Sequence, residues 1–160
     1  MKVDIIIPTY KPDDTFCLLL QKLREQTFLI HRVILLNTEE ALWEEAKSKY
    51  SIEEALGCLP CEYTLLHVSK EEFDHGGTRM LGAEQSEADV MVFMTQDAMP
   101  ADPYLIEHLV EPFVKDMILS GEEQGQAVET VRPEQRQMAD AENEKQQQSM
   151  YKEHATVAVA

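Results

Sequence analysis

"KVDIIIPTY", residues 2–10, is a continuous β-branched run stopped by Pro8, and its lack of alternation predicts a strand covered on both faces in a parallel sheet. From Asp14 the spacing changes: Phe16, Leu19, Leu20 and Leu23 recur at helical intervals, with Asp13 or Asp14 suited to cap the start. "RVILLN" then reads as a second strand, and "EEALWEEAKSKY" as a second helix with Leu42, Trp43 and Ala46 along one side. "YTLLHV" predicts a third strand, "GGTRMLGAEQS" a helix with two glycines in its first turn, and "DVMVFMT" a fourth strand. "DPYLIEHLVEPFV" predicts a further helix, with Pro103 placed for its first turn. This strand–helix alternation with short connections predicts a three-layer α/β/α domain whose mostly parallel four-stranded core lies between residues 3 and 94.

Near Ser120 the pattern breaks. The stretch to His154 is rich in Gln and Glu and nearly free of large aliphatics, so residues 1–119 are expected to form the domain and 120–160 a separate segment. Its Ala, Glu, Gln, Lys and Met content favours helix, with Pro133 at a plausible first turn, which leaves a solvated helix and a disordered tail as alternatives for 120–153. "ATVAVA" at the end reads as the beginning of another strand.

Composition narrows the function classes. At 160 residues with 44% hydrophobic content, one domain with a real core is expected. Thirty acidic against fourteen basic residues give a formal charge of −16, which disfavours nucleic acid and anionic membrane surfaces as partners. A phosphate-bearing ligand would then need helix N-termini or a divalent cation. No window approaches the roughly 20 apolar residues of a membrane span, and the N-terminal run is too short for a secretory signal, so a cytoplasmic protein is expected. Three cysteines argue against a disulfide framework. The pair Cys58 and Cys61 in "GCLPC" has neither a second pair nor a histidine at zinc spacing, which disfavours metal or redox use.

Nucleotide and hydrolase fingerprints are missing: the glycines at 76, 77 and 82 do not fit G-x-G-x-x-G, and neither a phosphate-loop motif nor a G-x-S-x-G elbow occurs. Polar clusters instead follow three strands, "PTYKPDD", "NTEE" and "TQDAMP", and a doubly wound sheet gathers such loops on one rim. Each alone is ordinary turn chemistry. Together with "DHGGTR" they suggest a ligand site, and Asp97 is either a cation ligand at the end of a strand or a turn residue.

"IIIPTYKP", "FDHGGTRMLGAEQSEADVMVFMTQDAMP" and "YLIEHLVEPF" closely resemble the N-terminal half of family 2 glycosyltransferases with the A-type fold, most nearly the rhamnosyltransferase-like branch. The resemblance covers residues 2 to 115 and implies inverting transfer of a sugar, rhamnose by branch, from a nucleotide-diphosphate donor to a glycan or lipid-linked acceptor. It implies that Pro8, Thr9 and Tyr10 lie against the base and ribose. Asn37 and Thr38 fall where the family usually has an acidic base contact, and an amide there still offers hydrogen bonds. Thr95, Gln96 and Asp97 align with the Asp-x-Asp metal motif, of which only the last acid survives. One carboxylate suffices for Mg²⁺ or Mn²⁺ when substrate phosphates complete the shell, so the resemblance implies Asp97 as metal ligand and Thr95 and Gln96 beside the donor. Asp74 and Arg79 are implied near the donor phosphates, with Gly76 and Gly77 permitting close backbone approach. The alternative for this segment is a tight strand-to-helix turn with Arg79 in a surface ion pair. Met80 departs from the family, where Asn commonly follows the Arg.

The family's catalytic base follows the next strand and an acceptor-binding segment. This chain is therefore expected to be a truncated or divergent donor-binding half that lacks that region. A non-catalytic nucleotide-sugar-binding or partner-binding module is the competing reading.

Overall fold

The computed structural model describes residues 1–123 and 155–158. In chain order the elements are β1 (Val3–Tyr10), α1 (Asp14–Arg24), β2 (Arg32–Thr38), α2 (Glu40–Lys49), α3 (Ile52–Gly57), β3 (Glu62–Val68), α4 (His75–Glu84), β4 (Val90–Phe93), α5 (Leu105–Glu123) and β5 (Ala155–Ala158). The strands form one sheet in the order β3-β2-β1-β4-β5, with every neighbouring pair parallel. The four strands expected from sequence are all present, and the "ATVAVA" segment supplies the fifth, with Val90 opposite Ala155 and Phe93 opposite Ala158.

β1 lies at the centre because it is apolar on both sides: Val3, Ile5, Ile6 and Ile7 are wholly buried. On one face Val3, Ile5, Ile7, Val33 and Leu35 pack with Phe16, Leu19 and Leu20 of α1, Trp43 of α2, Ile52 of α3 and Ile106 of α5. On the other face Ile6, Ile34, Leu36, Met91 and Phe93 meet α4. α4 approaches closely at Gly82, where an added Cβ would lie 2.6 Å from Ile6 Cγ2 and 2.7 Å from Leu36 Cδ1. The three layers expected from sequence are thus present.

Several local expectations sharpen. Asp13, rather than Asp14, caps α1, its carboxylate accepting the Thr15 and Phe16 amides at 2.9 and 3.3 Å. The single helix expected after β2 is two, since the chain breaks at Tyr50–Ser51 and restarts as α3. α5 begins at Leu105, two residues beyond Pro103. The Pro103 carbonyl instead accepts the Thr27 amide at 2.8 Å, and Gln26 Oε1 accepts the Ile106 amide at 3.1 Å. α5 runs to Glu123, past the boundary expected at 119. The expectation for 120–153 falls from 124 onward outside the described residues.

At the amino end of the sheet, opposite the ligand rim, Asp4 is wholly buried. Its carboxylate accepts bonds from Ser86 Oγ at 2.8 Å and Arg32 Nη2 at 3.2 Å, and lies 2.7 Å from His31 Nδ1. Burial and, secondarily, the charge of Asp4 push the Cys61 thiol upward in pKa. Cys17, Cys58 and Cys61 are all free thiols.

Candidate functional site

Strands β1 and β4 are neighbours, yet in the sheet order the chain steps from β1 to β2 in one direction and from β4 to β5 in the other. The chain thus reverses its winding direction between them, and a crevice at such a point, at the carboxyl ends of the strands, is where open α/β sheets place ligands. The residues Thr9, Tyr10, Asn37, Thr38 and Thr95–Asp97 all fall on that rim.

Thr9 and Asn37 meet within the protein rather than at its surface. Thr9 is 2% exposed and its hydroxyl donates to Asn37 Oδ1 at 3.3 Å. Asn37 is 0% exposed, and its Nδ2 donates to the Glu39 carbonyl at 2.9 Å and to His67 Nδ1 at 3.1 Å. Both amide hydrogens are therefore engaged within the protein, and a base edge would have to replace one of these partners to use them. Thr38 is 4% exposed, and its hydroxyl has no partner among the described residues. Sequence reasoning missed His67. It stands opposite Asn37 in the β2–β3 register, where a polar residue interrupting "YTLLHV" was the available signal.

Pro8 is half-buried at the end of β1, whereas Tyr10 is 44% exposed and Lys11 Nζ lies 5.2 Å from its ring centroid. Lys11 and Glu39, one residue past the last β1–β2 register pair Tyr10↔Thr38, have φ of 48° and 66°. They are the non-glycine residues with positive φ among the described residues, a conformation that costs energy and clusters at ligand sites. Glu39 is held there by its own amide donating to the Val68 carbonyl at 2.9 Å and by the Asn37 bond to its carbonyl. Neither residue type advertises a left-handed backbone, so sequence gave no signal.

After β4, the Ala98 amide donates to the Thr95 carbonyl at 3.1 Å, closing a turn that displays Asp97. Thr95 and Gln96 are half-buried and Asp97 is exposed. Gln96 faces Tyr10: its Oε1 accepts the Tyr10 amide at 2.8 Å and its Nε2 donates to the Tyr10 carbonyl at 3.0 Å. The Asp97 carboxylate has no hydrogen bond or ion pair among the described residues. No group of three or more His, Cys, Asp or Glu gathers there into a metal cage among the described residues either. This donor set fits a hard divalent cation that takes one carboxylate from the protein and its other oxygens from phosphates and water, and does not fit a cage built wholly from protein.

Asp74 and Arg79 lie on the α4 side. Asp74 is the N-cap of α4, its Oδ2 accepting the Gly77 amide at 2.6 Å, and Gly77 leaves room for it, since an added Cβ would sit 3.2 Å from that oxygen. Arg79 Nη1 donates to the His75 carbonyl at 3.2 Å within the same helix. No hydrogen bond joins either to Tyr10, Asn37 or Thr95–Asp97 among the described residues. A cavity of about 230 Å³ opens between the β1–α1 loop and α2, lined by Lys11, Asp13, Glu45, Lys49 and Tyr50, with none of Tyr10, Asn37, Gln96 or Asp97 in its wall.

Comparison with known proteins identifies the family and agrees with the fold. The sequence model for "Glycosyl transferase family 2" matches residues 4–157. The O-antigen chain rhamnosyltransferase RfbN of Salmonella typhimurium is 31% identical over 119 residues, which is 74% of this chain and 35% of that protein. The chain thus spans about a third of the length of that relative. Among solved structures, S. aureus TarS 1–349 superposes with a TM-score of 0.55 at 18% identity, covering 72% of this chain and 33% of that one. TarS 1–349 in complex with UDP-GlcNAc gives 0.50 at 19% identity, over 72% of this chain and 32% of that one. At such identity these structures speak to the fold, and they agree with the A-type glycosyltransferase architecture. Family match, rhamnosyltransferase relative and all-parallel sheet agree: the chain belongs to glycosyl transferase family 2.

Proposed function

We propose that this chain binds a nucleotide-diphosphate sugar at the carboxyl rim of its sheet, with Tyr10 against the base and Asp97 holding Mg²⁺ or Mn²⁺ to the diphosphate. The observation that carries this is the exposed Asp97 carboxylate, without a partner among the described residues, beside the point where the winding reverses in a family 2 sheet. When bound, the cation would offset phosphate charge that the acidic protein otherwise repels. Likeness to RfbN favours rhamnose as the sugar and a glycan or lipid-linked acceptor. Sugar transfer we place beyond this chain acting alone, in line with its spanning 35% of that relative. Arg79 gives one Nη1 hydrogen to the His75 carbonyl and has its other guanidinium hydrogens to offer the diphosphate.

Calorimetric titration with UDP- and dTDP-sugars, including a rhamnose donor, with and without Mn²⁺ tests the reading. The parent should bind more tightly with metal, and Asp97→Ala should lose about ten- to a hundredfold in affinity with metal and little without it, as expected for one charge-assisted contact. Binding that is the same with and without metal in the parent would remove Asp97 from the metal role.

A further inference from the structure

The β1–β4 ladder stops before the rim. Its register pairs run from Val3↔Val90 to Ile6↔Phe93, and a last backbone bond joins the Met94 amide to the Ile6 carbonyl at 3.0 Å. Beyond it the β4 chain turns at Thr95–Ala98, while β1 continues to Tyr10 with β2 as its ladder partner. A side-chain amide carries the same donor and acceptor as a peptide group. Gln96 uses both, at 2.8 and 3.0 Å, on the amide and carbonyl of the single residue Tyr10. A side chain thus supplies one further rung after the strand itself has left.

We propose that Gln96 is a positioning residue that fastens the Asp97 loop to Tyr10, so that the metal end and the base end of a donor are held in one fixed relation; this rests on the donor-binding reading above. Asp97 is the next residue, its Cα about 3.8 Å along the chain, and no protein group restrains its carboxylate among the described residues. The Gln96 clasp is therefore what fixes the start of the loop that displays it. Tyr10 does not depend on the clasp in the same way, because β2 holds it in register against Thr38. Loss of the clasp should loosen the metal end and spare the base end. That asymmetry separates positioning from general structural support, which would weaken both ends alike.

The test measures the affinity of UDP or dTDP, whichever the parent binds more tightly, with and without Mn²⁺, together with the melting temperature. The variants are Gln96→Met, of similar length without either bond, and Gln96→Ser, too short for either bond and adding no charge beside Asp97. The ratio of metal-free to metal-loaded Kd should fall about tenfold in both variants, the worth of one or two hydrogen bonds, while the metal-free Kd moves by about twofold or less. If Gln96→Met does not fold, the same ratio in Gln96→Ser decides. A parental ratio retained in the variants, or equal weakening with and without metal, overturns the inference alone. A parent that binds nucleotide without any metal enhancement overturns both the inference and the metal reading beneath it.

Discussion

Asn37 ties three parts of the rim together through one buried side chain. Its amide donates to the Glu39 carbonyl and to His67 Nδ1 and accepts from Thr9, so it fixes the left-handed Glu39 and the end of β1 simultaneously. The nitrogen it meets on His67 must be unprotonated, which places the imidazole proton on Nε2. Asn37→Asp would move the sequence toward the family's usual acidic residue, and for that reason tests whether local geometry or family pattern governs. A carboxylate there has no hydrogen to give and would face a carbonyl and an imidazole lone pair in a wholly buried position. The variant should lose about 2–4 kcal/mol at neutral pH by urea unfolding. A stability equal to the parent's at neutral pH would mean that Asn37 is replaceable and the rim is organised by other contacts.

At the scale of elements, the long apolar runs were legible because burial on both faces leaves no alternation: β1, β2 and β4 read directly as parallel strands. α1 was legible from its spacing and its acidic cap. α3 was not, since six residues carry too little periodicity to stand apart from α2, and the break at Tyr50–Ser51 lacks a glycine or proline to announce it. The rim residues were found as a group because they follow strands, but their partners were hidden. The Gln96–Tyr10 bonds join positions 86 apart, and nothing in a linear pattern says that an amide expected beside a ligand is committed to backbone. α4 had the reverse fate: Gly76 and Gly77 were read for ligand approach, while Gly82, noted only for not fitting a nucleotide fingerprint, serves packing. An alanine there gains about 1 kcal/mol of helix propensity yet drives a methyl into Ile6, a β-branched residue fixed in the central strand. Overpacking of this kind typically costs about 1–3 kcal/mol. Gly82→Ala should therefore be less stable than the parent by up to about 2 kcal/mol in urea unfolding, and a more stable variant would show that α4 can lift from the sheet without penalty.

The whole molecule carries a formal charge of −16, and that field acts on any anion approaching the rim. Two sources of positive charge can counter it locally. Lys11 lies over the Tyr10 ring at the rim and Arg79 lies on α4, yet both are turned to intramolecular partners, the ring and the His75 carbonyl. A divalent cation at Asp97 is the other source. The two make opposite predictions for salt, because screening weakens attraction to basic side chains but also weakens repulsion by the acidic body. If the cation supplies the counter-charge, nucleoside diphosphate affinity measured without metal should hold steady or rise as sodium chloride goes from about 0.05 to about 0.3 M, the range over which the screening length shrinks from roughly 14 to 6 Å. With saturating Mn²⁺ the affinity should be higher throughout and should fall gently with salt, as attraction to a bound cation is screened in turn. A steep fall with salt in the absence of metal would identify Lys11 and Arg79 as the principal anion contacts. The charge-neutral variants Lys11→Gln and Arg79→Gln would then flatten the salt dependence, whereas under the metal reading they leave its sign unchanged.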